Sequence, residues 1–230
     1  MRVLLFLCLL ASNSWASVES VSNGSLTLNL HFQEFGRFDK QRYIDAANQW
    51  LSIVKSVEGK PHHSIDVDIY VTSDINHDGE AGVLETEVVG GVEIPIHGEM
   101  VLHSRTHNSE FDYENAYITV VHELGHVLGV GQTTEKYIQR VDALNGPAFC
   151  KENSKALAWY NKLYQRNYPC LPFAESGHLY DFVLADDPER DNDRQGREIP
   201  PMTNEVMANG LEIGIITTGL LDDIGYVVEY

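Results

Sequence analysis

The sequence predicts an α+β domain, on three observations. Two stretches that alternate apolar and polar residues bracket a stretch with helical spacing. A second and stronger helical run follows near the middle of the chain. Beyond about residue 131 the pattern turns irregular, charged and Pro-bearing, and closes on one last helical stretch.

Residues 25–32 alternate with period two and read as a strand. Between residues 38 and about 56, Tyr43, Ala46, Ala47, Trp50, Leu51 and Val54 recur at helical spacing. Residues 64–71 alternate again and predict a second strand. Residues 88–104 read as short β pieces, because Gly90, Gly91, Pro95 and Gly98 punctuate them. Residues 112–130 form the strong helix. A further helix is expected at 155–163, a surface loop at 186–201 and a final helix at 213–224. No internal repeat or long linker splits the chain. The expectation is therefore one domain over 17–230, with an N-terminal subdomain to about 131 and a C-terminal subdomain from about 132.

The 230 residues carry 16 Lys and Arg against 34 Asp and Glu, a net charge of -18, and 43% are hydrophobic. That apolar content suits an ordinary core and argues against a disordered or collagen-like chain. The acidic balance argues against binding nucleic acid or anionic lipid, both of which need a basic footprint.

Residues 1–16 are expected to be a secretory signal peptide: Arg2, an apolar run from Val3 to Ala11, then Ser14 and Ala16 before a cut near Ser17. This predicts a secreted, extracellular protein with no membrane span. Cys8 leaves with the signal, so Cys150 and Cys170 remain to form a disulfide in an oxidising compartment. Asn23-Gly24-Ser25 is a glycosylation sequon, with Asn23 the acceptor.

The chemical signal is His122-Glu123-Leu124-Gly125-His126 on the strong helix. Residues four apart share a helix face, so two imidazoles can grip one ion. Imidazole suits zinc, which lowers the pKa of bound water towards 7. Glu123 beside the first ligand can serve as general base. Gly125 inside the helix costs on the order of 1 kcal/mol in propensity, which implies a packing or metal-site reason for it. Gly129 can take positive φ, end the helix and turn the chain so that a third ligand reaches the metal. The only histidine after Gly129 is His178. A carboxylate third ligand, Glu152 or Glu175, is the competing arrangement. Asn204 to Gly210 can form a tight turn that sets Met207 under the metal or in the core.

Taken in order, these pieces resemble the leishmanolysin-like zinc proteases among the metzincins. The likeness rests on His122 to Gly129, the long insert before His178, Asn204-Glu205-Val206-Met207 and the ending Thr217-Thr218-Gly219-Leu220-Leu221-Asp222-Asp223-Ile224-Gly225-Tyr226. It covers residues 113–230 well and the first half only as an order of elements. Where the compact metzincin pattern places a histidine, this chain has Gln132.

The resemblance implies a twisted, mostly parallel sheet with helices, an active-site helix, an irregular lower subdomain and a cleft between the two. It makes His122, His126 and His178 zinc ligands, Glu123 the base and Met207 the Met-turn residue. It also implies protein or peptide substrates, and an edge strand within 98–104 that binds extended substrate by strand addition. A monomeric secreted zinc endopeptidase is expected, and a catalytically inactive metzincin-like binding or inhibitory protein is the alternative.

A second metal signal precedes the helix. Asp74, Asn76, Asp78 and Glu80, with Glu85 in the twelfth position, fit the pattern of a calcium loop. The two readings are a strand-loop Ca(2+) site and a solvated acidic turn.

Overall fold

A computed structural model describes residues 17–33, 39–107, 113–174, 177–181, 191–208 and 210–230. The expected signal peptide at 1–16 lies outside them.

The chain opens with β1 (Ser17–Ser22), which turns back through residues 23–25 into β2 (Leu26–Phe32). Next come α1 (Gln41–Ile53), β3 (Val54–Val57) and β4 (His63–Thr72). A long hairpin of β5 (Gly79–Val89) and β6 (Val92–His103) leads to α2 (Tyr113–Val127). The second half holds β7 (Ile138–Val141), β8 (Gly146–Phe149), α3 (Lys155–Leu163), β9 (Leu171–Pro172), α4 (Ile215–Asp223) and β10 (Tyr226–Val228).

The main sheet runs β1-β2-β4-β6-β5. Its two central pairings, β2 with β4 and β4 with β6, are parallel, and its two outer pairings are antiparallel. The expected mostly parallel sheet is thus a mixed one, parallel only at its centre. The inner faces of β2 and β4 are lined by Leu28, Leu30, Ile65, Val67 and Ile69, which are fully buried. Tyr43, Ala46, Ala47 and Trp50 of α1 meet them, and Trp50 donates its ring N–H to the Val121 carbonyl of α2 at 2.9 Å. That bond fixes one helix against the other at the level of the site.

Three departures from the sequence reading have physical causes. β1 carries no alternation to read, since only Val21 among its residues is buried. Residues 79–103 form two long strands rather than short pieces: Pro95 stands opposite Thr86 beside register shifts in β5, where a missing donor is tolerated. Finally, residues 98–103 lie inside the sheet between β4 and β5, so the edges of the sheet are β1 and β5 and the 98–104 segment is not one of them.

The C-terminal half is held by point contacts more than by long elements. Cys150 and Cys170 form a disulfide that ties the strands β8 and β9 of a small three-stranded sheet. The Asp223 carboxylate at the end of α4 accepts the Ser154 hydroxyl and the Lys155 and Ala156 N–H groups at the start of α3. The Glu205 carboxylate does the same for the Ile216 and Thr217 N–H groups of α4. Helix N-termini leave such donors unpaired, and a carboxylate also complements the positive end of the helix dipole. β10 pairs with β3, which joins the two halves. Of the expected 186–201 loop, residues 191–201 are described; there Asp193 accepts N–H groups of Gln195 and Arg197 and ion-pairs with Arg197. Among the described residues no helix is long and apolar enough to cross a membrane.

Candidate metal centre

Helix α2 buries Val120, Leu124 and Val127 in the core, with Leu128 directly after it, and turns His122 and His126 towards a cleft. Their Nε2 atoms stand 3.1 Å apart. The Nε2 of His178 lies 3.0 Å from that of His122 and 3.1 Å from that of His126. Among the described residues this is the one group of three or more His, Cys, Asp or Glu side chains that converges closely enough to hold a metal ion.

Backbone carbonyls orient the rings. His122 donates Nδ1–H to the Val206 carbonyl at 2.6 Å, and His126 donates Nδ1–H to the Val130 carbonyl at 2.8 Å. A proton fixed on Nδ1 leaves the Nε2 lone pair free for a metal. Burial presses the His122 imidazole down to about 4, with His126 beside it adding to the effect, and burial lowers His126 too. Both rings are therefore neutral at pH 7, the form that ligates.

Two chain reversals deliver these partners. Gly129, at φ 108°, ends the helix and sends Val130 back under His126. Beyond it Gly131 lies against Gly177: a Cβ at position 131 would sit 3.2 Å from the Gly177 carbonyl oxygen and 3.4 Å from His126 Nδ1. Side chains at this contact would hold the loop bearing His178 away from the helix. The second reversal spans residues 202–208, with Glu205 N–H bonded to the Met202 carbonyl and Ala208 N–H to that of Glu205. It presents the Val206 carbonyl to His122, while the Met207 carbonyl accepts Leu179 N–H at 2.9 Å, next to His178.

Met207 itself is fully buried. A Cβ built on Gly125 would lie 2.2 Å from its Sδ and 3.1 Å from the Trp50 ring. The glycine inside α2 is thus a packing requirement: it makes room for the thioether beneath the histidines.

Glu123 is buried at the cleft wall, and burial with the Glu80 charge nearby pushes its carboxyl up to about 8. The cleft has a volume of about 650 Å³ and contains the three histidines, Glu123, Glu80 and Glu135 on its walls. Its other walls are the Gly79–Gly82 stretch of β5, residues 130–132 after the helix, Phe173, Ala174 and Gly177 before His178, and Ile138 with Pro147.

The remaining expected sites are placed as follows. Glu152 is not in the metal group, and Glu175 lies outside the described residues. The five calcium-loop residues do not converge. Asp78 pairs with Arg105 at 2.7 Å, Glu80 with His77 at 3.1 Å, and Asn76 accepts from His77 Nδ1, while Asp74 N–H turns to the Thr72 hydroxyl. Glu85 is far along β5 opposite His97, because the would-be loop becomes a strand at Gly79. Asn23 spends both ends of its side chain on structure. Its Nδ2 donates to the Leu51 and Val54 carbonyls, and its Oδ1 accepts from Ser25 and Leu26. A glycan on Nδ2 would replace one of those bonds.

Sequence reasoning did not find Val130, Val206, Gly131 or Gly177 as parts of the site. Backbone carbonyls carry no sequence signal, but a glycine directly before the expected ligand His178 was a readable one.

The fold and site together define a mixed-sheet α+β protein with a three-histidine centre able to hold a metal ion. No protein-family model matches the chain, and no curated protein matches it.

Proposed function

We propose that this protein is a secreted zinc-dependent endopeptidase of the leishmanolysin-like metzincin type. The observation that carries the reading is the Nε2 triangle of His122, His126 and His178 opening on the same cleft as Glu123. The donor set fits zinc. Two ligands on a tetrahedral zinc with bonds of about 2.0–2.1 Å lie about 3.3 Å apart, close to the spacing of the three nitrogens. Three protein ligands with one open position is the pattern of catalytic rather than structural zinc. The disulfide between Cys150 and Cys170 supports an oxidising compartment and hence secretion.

When bound, zinc supplies Lewis acidity, lowering the pKa of water and polarising a carbonyl oxygen. The protein's own groups do the rest. His122 and His126 are held in the ligating tautomer by the Val206 and Val130 carbonyls. The cleft takes an extended peptide, and the Glu123 carboxylate, which a cation on the three histidines would favour against its burial, accepts a proton from the attacking water as the new C–O bond forms. The same carboxyl then gives that proton to the amine nitrogen as the C–N bond breaks. Met207 carries no proton; it packs under the ligands. Tyr180 donates its hydroxyl to Asp191, and neither Tyr180 nor Tyr226 lines the cleft, so oxyanion stabilisation is not assigned to them.

Zinc content and hydrolysis of an unstructured protein such as casein test the reading. Wild type is expected to bind one zinc and to cleave. Glu123→Ala is expected to keep the zinc and to lose about 100-fold or more of the rate, the usual contribution of a positioned base. Zinc binding with no turnover by wild type would favour the inactive binding or inhibitory protein instead.

A further inference from the structure

The cleft wall formed by β5 is a free strand edge, and its open length can be read from the hydrogen bonds. The Asp78 carbonyl accepts His103 N–H at 3.0 Å, so Asp78 faces β6. Antiparallel pairing alternates, so the peptide groups of 80 and 82 also face β6, and those of 79, 81 and 83 face outward. Val83 agrees: its N–H leaves the sheet and donates to Gln132 Oε1 at 2.9 Å. Gln132 reaches it from the turn that follows α2, and its Oε1 would lie 3.3 Å from a Cβ on Gly82. At the other end, a Cβ on Gly79 would lie 3.0 Å from Glu123 Oε1, so the edge begins against the general base.

We infer that Gln132 is a specificity-determining residue: its side-chain amide takes the place of a substrate peptide group on β5 at Val83 and confines strand addition to Gly79 and Ala81. The inference rests on the endopeptidase reading above. An extended substrate pairs with β5 next to Glu123, gains the outward groups of Gly79 and Ala81, and meets an occupied donor at Val83. Further residues at that end add length without adding ladder bonds. A substrate is therefore bound on this side by a short segment, and the cleft takes short peptides as well as long ones.

The test uses the full zinc-loaded chain and one cleaved peptide sequence lengthened one residue at a time at each end. kcat/KM is measured for wild type, Gln132→Ala and Gln132→Glu. For wild type the gain with length is expected to stop after the residue opposite Ala81. Gln132→Ala is expected to go on gaining, by roughly 5-fold for the next ladder bond of about 1 kcal/mol. Gln132→Glu keeps an acceptor for Val83 N–H and is expected to level off as wild type does. The comparison is of length dependence within each variant, so a uniform loss caused by substitution cancels. Identical length dependence in wild type and Gln132→Ala would overturn the inference while leaving the endopeptidase intact. Absence of cleavage by every form, with zinc bound, would overturn both.

Discussion

The two halves of the molecule contribute to the same metal centre by different means. The N-terminal half supplies His122, Glu123 and His126 from one regular helix, locked by Trp50 and packed on a five-stranded sheet. The C-terminal half supplies His178 from a loop, and holds that loop by a glycine contact, a disulfide and two buried carboxylates at helix starts. In the first half the ligand spacing follows from helix geometry alone. In the second it depends on a few contacts between residues distant in sequence, so single substitutions there reach the site.

The largest expected effect tests that dependence. His178→Ala removes one of three ligands and is expected to weaken zinc binding by about 100-fold or more, beyond the usual effect of losing a group that only orients a ligand. Zinc titration against a competing chelator measures it. Wild-type affinity in that variant would mean that the two halves do not share one ion.

The next effect concerns the C-terminal half alone. Replacing both Cys150 and Cys170 by Ser opens a loop of 20 positions and is expected to cost about 3 kcal/mol in denaturant unfolding. If the two halves depend on their contacts as described, zinc affinity falls as well. A loss of stability with unchanged affinity would show that the His178 loop is held without the disulfide.

Gly125→Ala probes the contact between the halves. The added methyl collides with Met207 Sδ, and overpacking of this kind costs about 1–3 kcal/mol. Combining it with Met207→Ala is expected to recover part of that loss, because the clash is removed; a double-mutant cycle reads the coupling. Additive losses would place Met207 and Gly125 in separate environments.

The smallest effect belongs to the N-terminal half and lies away from the metal. Burial, with Arg42 nearby, lowers His107 to about 4, and its Nε2 shares a hydrogen bond with the Tyr43 hydroxyl at 2.7 Å. The unfolded chain takes up this proton first, near the ordinary histidine value of about 6.5. Stability contributed by neutral His107 is therefore complete above that value and is lost as pH falls from about 6.5 towards 4. In metal-free protein, His107→Gln is expected to unfold with a shallower acid dependence across that window than its parent. Parallel pH profiles would contradict it.

What could be read from the sequence divides along the same line. β2, α1, β4, α2, α3 and α4 were legible because burial imposes a period on them. The pairing of His122 with His126 is legible because a helix turns spacing into geometry. His178 was found by exhaustion, as the only histidine beyond Gly129, and its placement by Gly131 and Gly177 was not foreseen. The edge expected within 98–104 is interior instead: glycines and a proline break up the apparent pattern of 88–104, whereas the strand order depends on pairing across the sheet. The five residues of the calcium pattern are spread for a related reason: β5 begins at Gly79, between Asp78 and Glu80, and carries Glu85 along the sheet.

The measurement closest to the central claim is X-ray absorption at the zinc edge of the purified, zinc-loaded protein. Three imidazole nitrogens and one oxygen at about 2.0–2.1 Å are expected around a single zinc. A shell with only two imidazoles, or with sulfur, would contradict it.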